Sequence, residues 1–333
     1  MKKVLSLILA LAMVFALAAC GEKQPSNDGD TDGDKPPRGN VIMTFGTADT
    51  GGSMYPAGAA VSQVWTNNVE GVKCNTQTST GSFQNCQDVS TGEVDVAVAT
   101  SDVVLNAYNG TGKFADIGKL DNLRVIGAVY TSVLSGVALK SSGLTYIHDL
   151  LGKRVAVGPA ASATENATLA AFAAMDITKD NTSLENLGLG DGADSVGDGI
   201  LDAAFGFAGL PIGGQLNLAA TKEIQVLDMT QEEIDKVLAG NAAYIQTKIP
   251  AGTYTGQDND ANTFGVKCLI IVTADMDADL VYDLCKAMNE HTEEMAAGNA
   301  LLKDMTDPSF LCTQMPIPLH DGAQKYYSEQ GLI

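Results

Sequence analysis

Arginine is scarce in this 333-residue chain, occurring at Arg38, Arg124 and Arg154 only. Arg38 lies in a stretch too polar to fold, and the other two begin strands, so a bidentate guanidinium clamp on a bound carboxylate is not expected. Basic residues number 20 against 40 acidic ones, a formal net charge of −20. Such a chain lacks the basic face that nucleic acid requires, and basic residues do not hold it to a membrane. Histidine stands only at His148, His291 and His320, and no Cys-x-x-Cys pair exists, so a zinc site is unsupported. Enzyme signatures are missing as well: no G-x-x-x-x-G-K-[ST], G-x-S-x-G or H-E-x-x-H occurs, and G-T-A-D-T-G-G fails the dinucleotide spacing. No catalytic residue, metal or cofactor is therefore expected. The Asp- and Gly-rich "GDGADSVGDG" (190 to 199) does not follow the EF-hand spacing and reads as a helix edge and turn.

What is present begins with an address. Lys2 and Lys3 precede an apolar run, Val4 to Ala19, that falls short of the roughly 20 residues of a spanning helix and ends in Leu17-Ala18-Ala19-Cys20. This reads as a bacterial lipoprotein signal (1–19), cleaved before a lipidated Cys20; an uncleaved anchor is the alternative. Either way the remainder is extracytoplasmic, with the outer face of a single-membrane cell favoured over a periplasm. Residues 20–40 hold the lipidated cysteine and a tether too poor in large apolar residues to fold. The other cysteines, Cys74, Cys86, Cys268, Cys285 and Cys312, are odd in number. Cys74 and Cys86 could pair outside the cell, or all five remain buried thiols.

Beyond the tether, periodicity alternates. Val41 to Phe45 is an apolar run, followed by helical spacing at Ala57, Ala60, Val61 and Val64; Val72 to Thr78 alternates; 82–91 is helical; Val94 to Ala99 is a buried strand. This β-α-β-α-β order predicts a mostly parallel sheet covered on both faces. The grammar then recurs. "MTFGTADTGGSMYPAGAAVSQV" (43 to 64) has a counterpart in "RVAVGPAASATENATLAAFAAM" (154 to 175), and Gly92-Glu-Val-Asp95-Val-Ala97 in Gly199-Ile-Leu-Asp202-Ala-Ala204. Two matches in the same order at nearly one offset predict two similar α/β lobes. Long β-rich stretches at 124–140 and 263–273 bracket the second repeat, so lobe 1 is expected at 41–133 plus 262–333 and lobe 2 at 134–261. The two connecting strands would form a hinge.

In open α/β sheets, ligands sit beyond the carboxyl ends of the strands, where helix N-termini point. Gly46, Gly51 and Gly52 would supply positive φ and close approach there, with Ser53 as an N-cap and Pro56 in the first turn. Free N–H groups and the helix dipole favour an anion at this place. Ser162-Ala-Thr-Glu165 has capping-box spacing, which sets Ser162 and Thr164 at the equivalent helix start of the second lobe. Other candidates at strand ends are Thr80, Ser82, Asn85, Ser101 and Gly209. Ser82 either caps its helix or meets ligand, and Tyr55 either stacks on ligand or packs between helices. Asp102 is read as a helix-dipole partner.

Taken together, "GTADTGGSMYPAGAAVSQVW", "TSTGSFQN", "GEVDVAVATSDVVLNAYNGTGKF", "GKRVAVGPAASATE", "LDAAFGFAGLP", "IPAGTYTGQD" and "MPIPLHDGAQKYYSEQG" resemble the TAXI family, the substrate-binding proteins of a subclass of TRAP transporters. The likeness runs in order from about Asn40 to the C-terminus. It implies a two-lobed type II periplasmic-binding-protein fold and delivery of a small organic anion, glutamate-like or a dicarboxylate such as 2-oxoglutarate, to an ion-coupled permease. It further implies ligand contacts at Gly51, Gly52, Ser53, Met54 and Tyr55, at Thr80, Gly81, Ser82 and Asn85, and at Ser162 and Thr164. The chain departs from the family pattern at Met54, where many relatives carry tyrosine, and at Ala48 and Ala163, where they carry glycine. The reading is a monomeric, lipid-anchored solute receptor that hands a carboxylate to TRAP permease subunits. A binding protein of an ABC importer is the alternative of the same fold; an extracellular enzyme or a surface antigen or adhesion protein is the alternative of another class.

Overall fold

The computed structural model describes residues 39–333 apart from Asp49 and Gly51. The leader at 1–19, Cys20, all of the tether but its last two residues, and Gly51 lie outside the described residues.

From Val41 the chain alternates strand and helix: β1 (Val41–Gly46), α1 (Met54–Asn68), β2 (Val72–Gln77), α2 (Ser82–Thr91), β3 (Val96–Thr100) and α3 (Ser101–Asn109). A long strand β4 (Leu123–Leu139) follows, then β5 (Arg154–Ala156), α4 (Ala163–Ala173), β6 (Ser183–Glu185), α5 (Leu189–Gly197), β7 (Ala203–Ala208), α6 (Gly213–Thr221), β8 (Ile224–Val226), α7 (Gln231–Gly240) and β9 (Ile245–Ile249). The second long strand, β10 (Ala261–Thr273), leads into α8 (Ala278–Glu290), shorter helical pieces and a last helix, α9 (Asp321–Glu329). Each helix follows its sequence pattern. In α1 the buried residues Met54, Ala57, Gly58, Val61, Val64 and Trp65 fall on one stripe, and the Trp65 indole donates to Leu284 O at 3.0 Å. Strand β3 is buried at every position, as a parallel strand covered on both faces should be.

The strands form one mixed sheet in the order β2-β1-β3-β10-β4-β7-β5-β6. β1 pairs in parallel with β2 and β3, and β5 with β6 and β7. β10 runs antiparallel to both β3 and β4, and β4 antiparallel to β7. The order thus reads as the same unit twice, a parallel triplet flanked by one long antiparallel strand. The repeat extends to single atoms. Asp95 Oδ2 accepts from Thr44 N at 2.7 Å while Asp95 N donates to Thr44 O at 3.1 Å; Asp202 Oδ2 accepts from Arg154 N at 2.8 Å while Asp202 N donates to Arg154 O at 2.8 Å. A strand-entry aspartate ties the edge of each triplet in the same way.

Apolar burial follows the two units. Ile270, Val272, Val96 and Val98 pack on one face of the first triplet, and Leu269, Ile271, Ala97 and Ala99 on the other. In the second, Val155, Ala203, Phe205 and Phe207 take one face and Ala156, Ala204 and Val137 the other. The long strands serve both cores: β4 gives Tyr130 to the first and Leu134 to the second, β10 gives Cys268 to the first and Val266 and Phe264 to the second. The chain therefore crosses between cores only within these paired strands and their neighbours, near residues 130–134 and 266–268. All five described cysteines are buried and unpaired, so the Cys74–Cys86 disulfide does not form. Cys74 lies instead against the Ser62 hydroxyl at 3.4 Å.

Candidate functional site

Within each parallel triplet the carboxyl ends share one edge; the two triplets run antiparallel to each other, so these edges face, and the loops after β1, β2, β5, β6 and β7 meet between them. They enclose a cavity of about 670 Å³, within the roughly 300–1,000 Å³ of ligand pockets. Its wall contains Gly52, Ser53 and Met54 before and in α1; Ser79, Thr80, Gly81 and Ser82 at the start of α2; Pro159, Ser162, Ala163 and Thr164 at the start of α4; and Gly188 to Asp191 at the start of α5. Tyr130, Phe207 and Ala208 add apolar surface. Four helix N-termini, two from each unit, thus converge on one space.

Three of these four starts carry no side-chain cap, at Ser53, Gly81 and Gly188. The expectation that Ser53 caps α1 is corrected: its backbone is already helical, and its Oγ accepts from Gly209 N at 3.2 Å instead. At α4 the Ser162 Oγ does cap, accepting from Glu165 N at 3.1 Å, but the Glu165 carboxylate bonds to Ala161 N rather than closing a box on Ser162. The first N–H groups of a helix have no intrahelical acceptor, and among the described residues nothing accepts from those of Ala163 and Thr164, both of which line the cavity. No Lys, Arg or His stands among the described lining residues, and Asp191 is their one carboxylate. A β-carbon built on Gly188 would stand 3.2 Å from Asp191 Oδ2, so that carboxylate folds back over its own helix start.

The hydroxyls divide into two groups. Ser79 donates to Thr47 O at 2.9 Å and Thr80 to Gln84 Oε1 at 3.0 Å, so their protons are spent inside the protein. Ser53, Ser82, Ser162 and Thr164 each accept a main-chain N–H, from Gly209, Thr100, Glu165 and Phe207 at 3.1–3.2 Å. A hydroxyl has one proton and two lone pairs, so an accepted N–H fixes the oxygen and leaves the proton to give. Among the described residues the Ser82 hydroxyl, which has no exposed surface, also meets Thr100 Oγ1 at 3.3 Å and the Met54 sulfur at 4.0 Å, so it is engaged inside the protein, whereas no acceptor takes the protons of Ser53, Ser162 or Thr164. Neutral donors lining a cavity without a cation suit a negatively charged ligand.

Several sequence candidates go elsewhere. Gly51 lies outside the described residues. Asn85 is fully buried beneath the site; its Nδ2 donates to Thr47 O and to Val98 O, at 2.7 Å for the latter, which ties the loop after β1 to β3. Ser101 lines a different space, beside Lys267 and Met315. Tyr55 is half-buried on α1 and outside the cavity wall. Gly209 meets Ser53 and packs against Leu301, whose Cδ1 would lie 1.8 Å from an added β-carbon. Gly46 does not adopt positive φ. Gly46 is needed for space, since a β-carbon there would be 3.2 Å from both Ala97 Cβ and Asn85 Oδ1.

Missed by sequence reasoning were Ser79, Tyr130, Pro159, Phe207 and the whole α5 start. The last was within reach: Gly81 carried forward by the spacing from Asp95 to Asp202 lands on Gly188.

Beside the cavity, Glu165 would place a negative charge at the α4 start. Burial pulls its carboxyl up, but the Lys113 ammonium at 2.6 Å, Ala161 N–H at 2.8 Å and the Asn186 amide at 3.0 Å outweigh this and hold it below the ordinary carboxylate range.

The model of the NMT1-like family matches residues 45–331, nearly all of the described chain. The chain belongs to the NMT1-like family. That is a family of periplasmic substrate-binding proteins, and the α/β periplasmic-binding-protein fold described above is its architecture. Among solved structures, this NMT1-like chain is similar to PhnD1 from Prochlorococcus marinus (MIT 9301) in complex with methylphosphonate, with a TM-score of 0.54 at 10% identity over 88% of this chain and 99% of that one. It also matches the alkanesulfonate-binding protein SsuA from Xanthomonas axonopodis pv. citri bound to MOPS, with a TM-score of 0.48 at 14% identity over 87% and 84%. No helix of the described NMT1-like residues is long and apolar enough to cross a membrane.

Proposed function

We propose that this protein is a lipid-anchored receptor that captures a small organic anion between two lobes, 41–133 with 262–333 and 134–261, and hands it to a membrane permease. The observation that carries the reading is the cavity itself: four helix starts, three of them without side-chain caps, and three uncommitted hydroxyl protons, with no cation in the described wall. Glutamate-like amino acids and dicarboxylates such as 2-oxoglutarate suit donors that approach from both units. Closure follows from this arrangement, because only the closed form lets both sets of donors reach one ligand. The TAXI-like motifs favour a TRAP permease as the partner.

The test is a thermal-denaturation series with glutamate, 2-oxoglutarate, malate, phosphonates and sulfonates, against neutral and cationic analogues of similar size. A ligand at 100 times its dissociation constant stabilises the native state by about 2.7 kcal/mol. An anion-selective shift supports the reading; no shift with any small anion refutes it. For the partner, uptake of the identified ligand that stops when ion gradients are collapsed fits a TRAP permease. Uptake that stops only on loss of ATP replaces it with an ABC importer.

A further inference from the structure

A cation from the first unit reaches across the seam to the anion site of the second. Lys113 follows α3, in the segment whose Phe114 packs in the first unit's core, whereas Glu165 is in the first turn of α4 in the second. Their side chains meet at 2.6 Å, with Glu165 largely buried and Lys113 partly exposed. An exposed ion pair alone would mean little. This one is held in place by a neighbouring buried contact across the same seam: Asp102 on α3, with no exposed surface, accepts from Asn166 Nδ2 at 2.8 Å and from the Tyr244 hydroxyl at 3.3 Å. Asn166 is the residue after Glu165, so the approach of α3 to α4 that seats Asp102 also brings Lys113 onto Glu165.

Separating the units removes Lys113 but not Glu165, whose remaining partners, Ala161 N and Asn186, belong to its own unit. The α4 start then presents an uncompensated carboxylate beside donors that would bind an anion. Bringing the units together cancels that charge at the moment the ligand is enclosed.

We propose that Lys113 is a positioning residue whose ammonium neutralises Glu165 only in the closed form, so that anion affinity is coupled to closure by a residue outside the cavity wall. The inference rests on the reading of the cavity as an anion site. It makes Glu165 an electrostatic liability and not merely half of a strut, and these roles predict opposite results.

The experiment measures the affinity of the full chain for glutamate, 2-oxoglutarate and malate by calorimetry, in Lys113→Met, Glu165→Gln and the double variant, with Lys113→Arg as the conservative control. Coupling between sites is commonly 5- to 150-fold, so Lys113→Met is expected to weaken binding by about 5- to 50-fold. Glu165→Gln should bind as well as or better than wild type, and the double variant should recover most of the loss. Lys113→Arg should stay within about threefold of wild type, well under that coupling range. If Glu165→Gln weakens binding as much as Lys113→Met, or if the double variant does not recover, the pair is a strut and the proposal is overturned. An unchanged Lys113→Met overturns it too while leaving the cavity reading intact, whereas a wild-type chain that binds no anion overturns both.

Discussion

Gly158 stands two residues beyond β5 in the turn that leads to the α4 start, and its substitution tests whether that turn is built for the site. Its φ is +96°, and an added β-carbon would lie 2.5 Å from Thr164 Cγ2, 2.6 Å from Thr164 Cβ and 3.2 Å from Glu165 N. Gly158→Ala therefore carries two costs. Holding an L-residue at that φ costs about 1–3 kcal/mol, and displacing the first turn of α4 costs about 1–3 kcal/mol more. At a few degrees per kcal/mol for a chain of this size, the melting temperature should fall by roughly 5–15 °C. Gly143→Ala separates the costs, because its φ of +75° is similarly disfavoured yet no heavy atom lies within 4 Å of its added β-carbon; it should lose only the first increment, about 1–3 kcal/mol. Calorimetric melting of both variants measures stability, and titration with the ligand found for the wild type measures the site. Since Thr164 receives the Phe207 N–H and lines the cavity, Gly158→Ala should also bind more weakly, while Gly143→Ala should bind normally. A Gly158→Ala protein no less stable than Gly143→Ala, with unchanged affinity, would refute this account of the turn.

The hydroxyl division gives a second test: Ser162→Ala should weaken ligand binding by about 10- to 100-fold, as expected for a lost hydrogen bond to a charged group, whereas Thr80→Val, whose proton goes to Gln84, should cost little affinity. The thiols give a third. Burial pushes Cys74 up to about 11 and Cys268 up to about 12, so a thiol reagent at pH 8 should label native protein slowly and label it quickly once denatured. Asp202 gives the fourth, since the hydrogen bond from the Arg154 side chain, followed by the Arg154 N–H and the guanidinium charge, holds its carboxyl below the ordinary range despite some burial. A carboxyl lower in the folded than in the unfolded state stabilises above its unfolded value, about 3.9, and this stability is lost as pH falls below it. The melting temperature of Asp202→Asn should consequently be lower at pH 7 and fall less steeply between pH 5 and 3 than that of the wild type.

Much of this molecule is legible along the chain because its causes are local. Alternation and helical spacing depend on neighbours a few residues away, so β1 through β3, α1 and α2, and the long strands β4 and β10 could be read from their patterns. The repeat was legible for the same reason, down to the matched aspartates Asp95 and Asp202, and so was the scarcity of cations that shapes the recognition chemistry. The Ser162 cap is a contact across three residues and was equally accessible.

What lay beyond the sequence is decided by segments that meet only in three dimensions. Ser53 reads as a cap until Gly209 arrives across the seam to occupy its oxygen. Asn85 reads as a ligand contact until the strand beneath it claims its amide, and Ser101 until its helix start faces another space. Which hydroxyl keeps its proton for a ligand depends on what the opposite strand or loop offers, and a linear pattern carries no record of that. The partnership of Lys113 with Glu165 is of the same kind, since a charge is a liability or an asset according to what the fold sets against it.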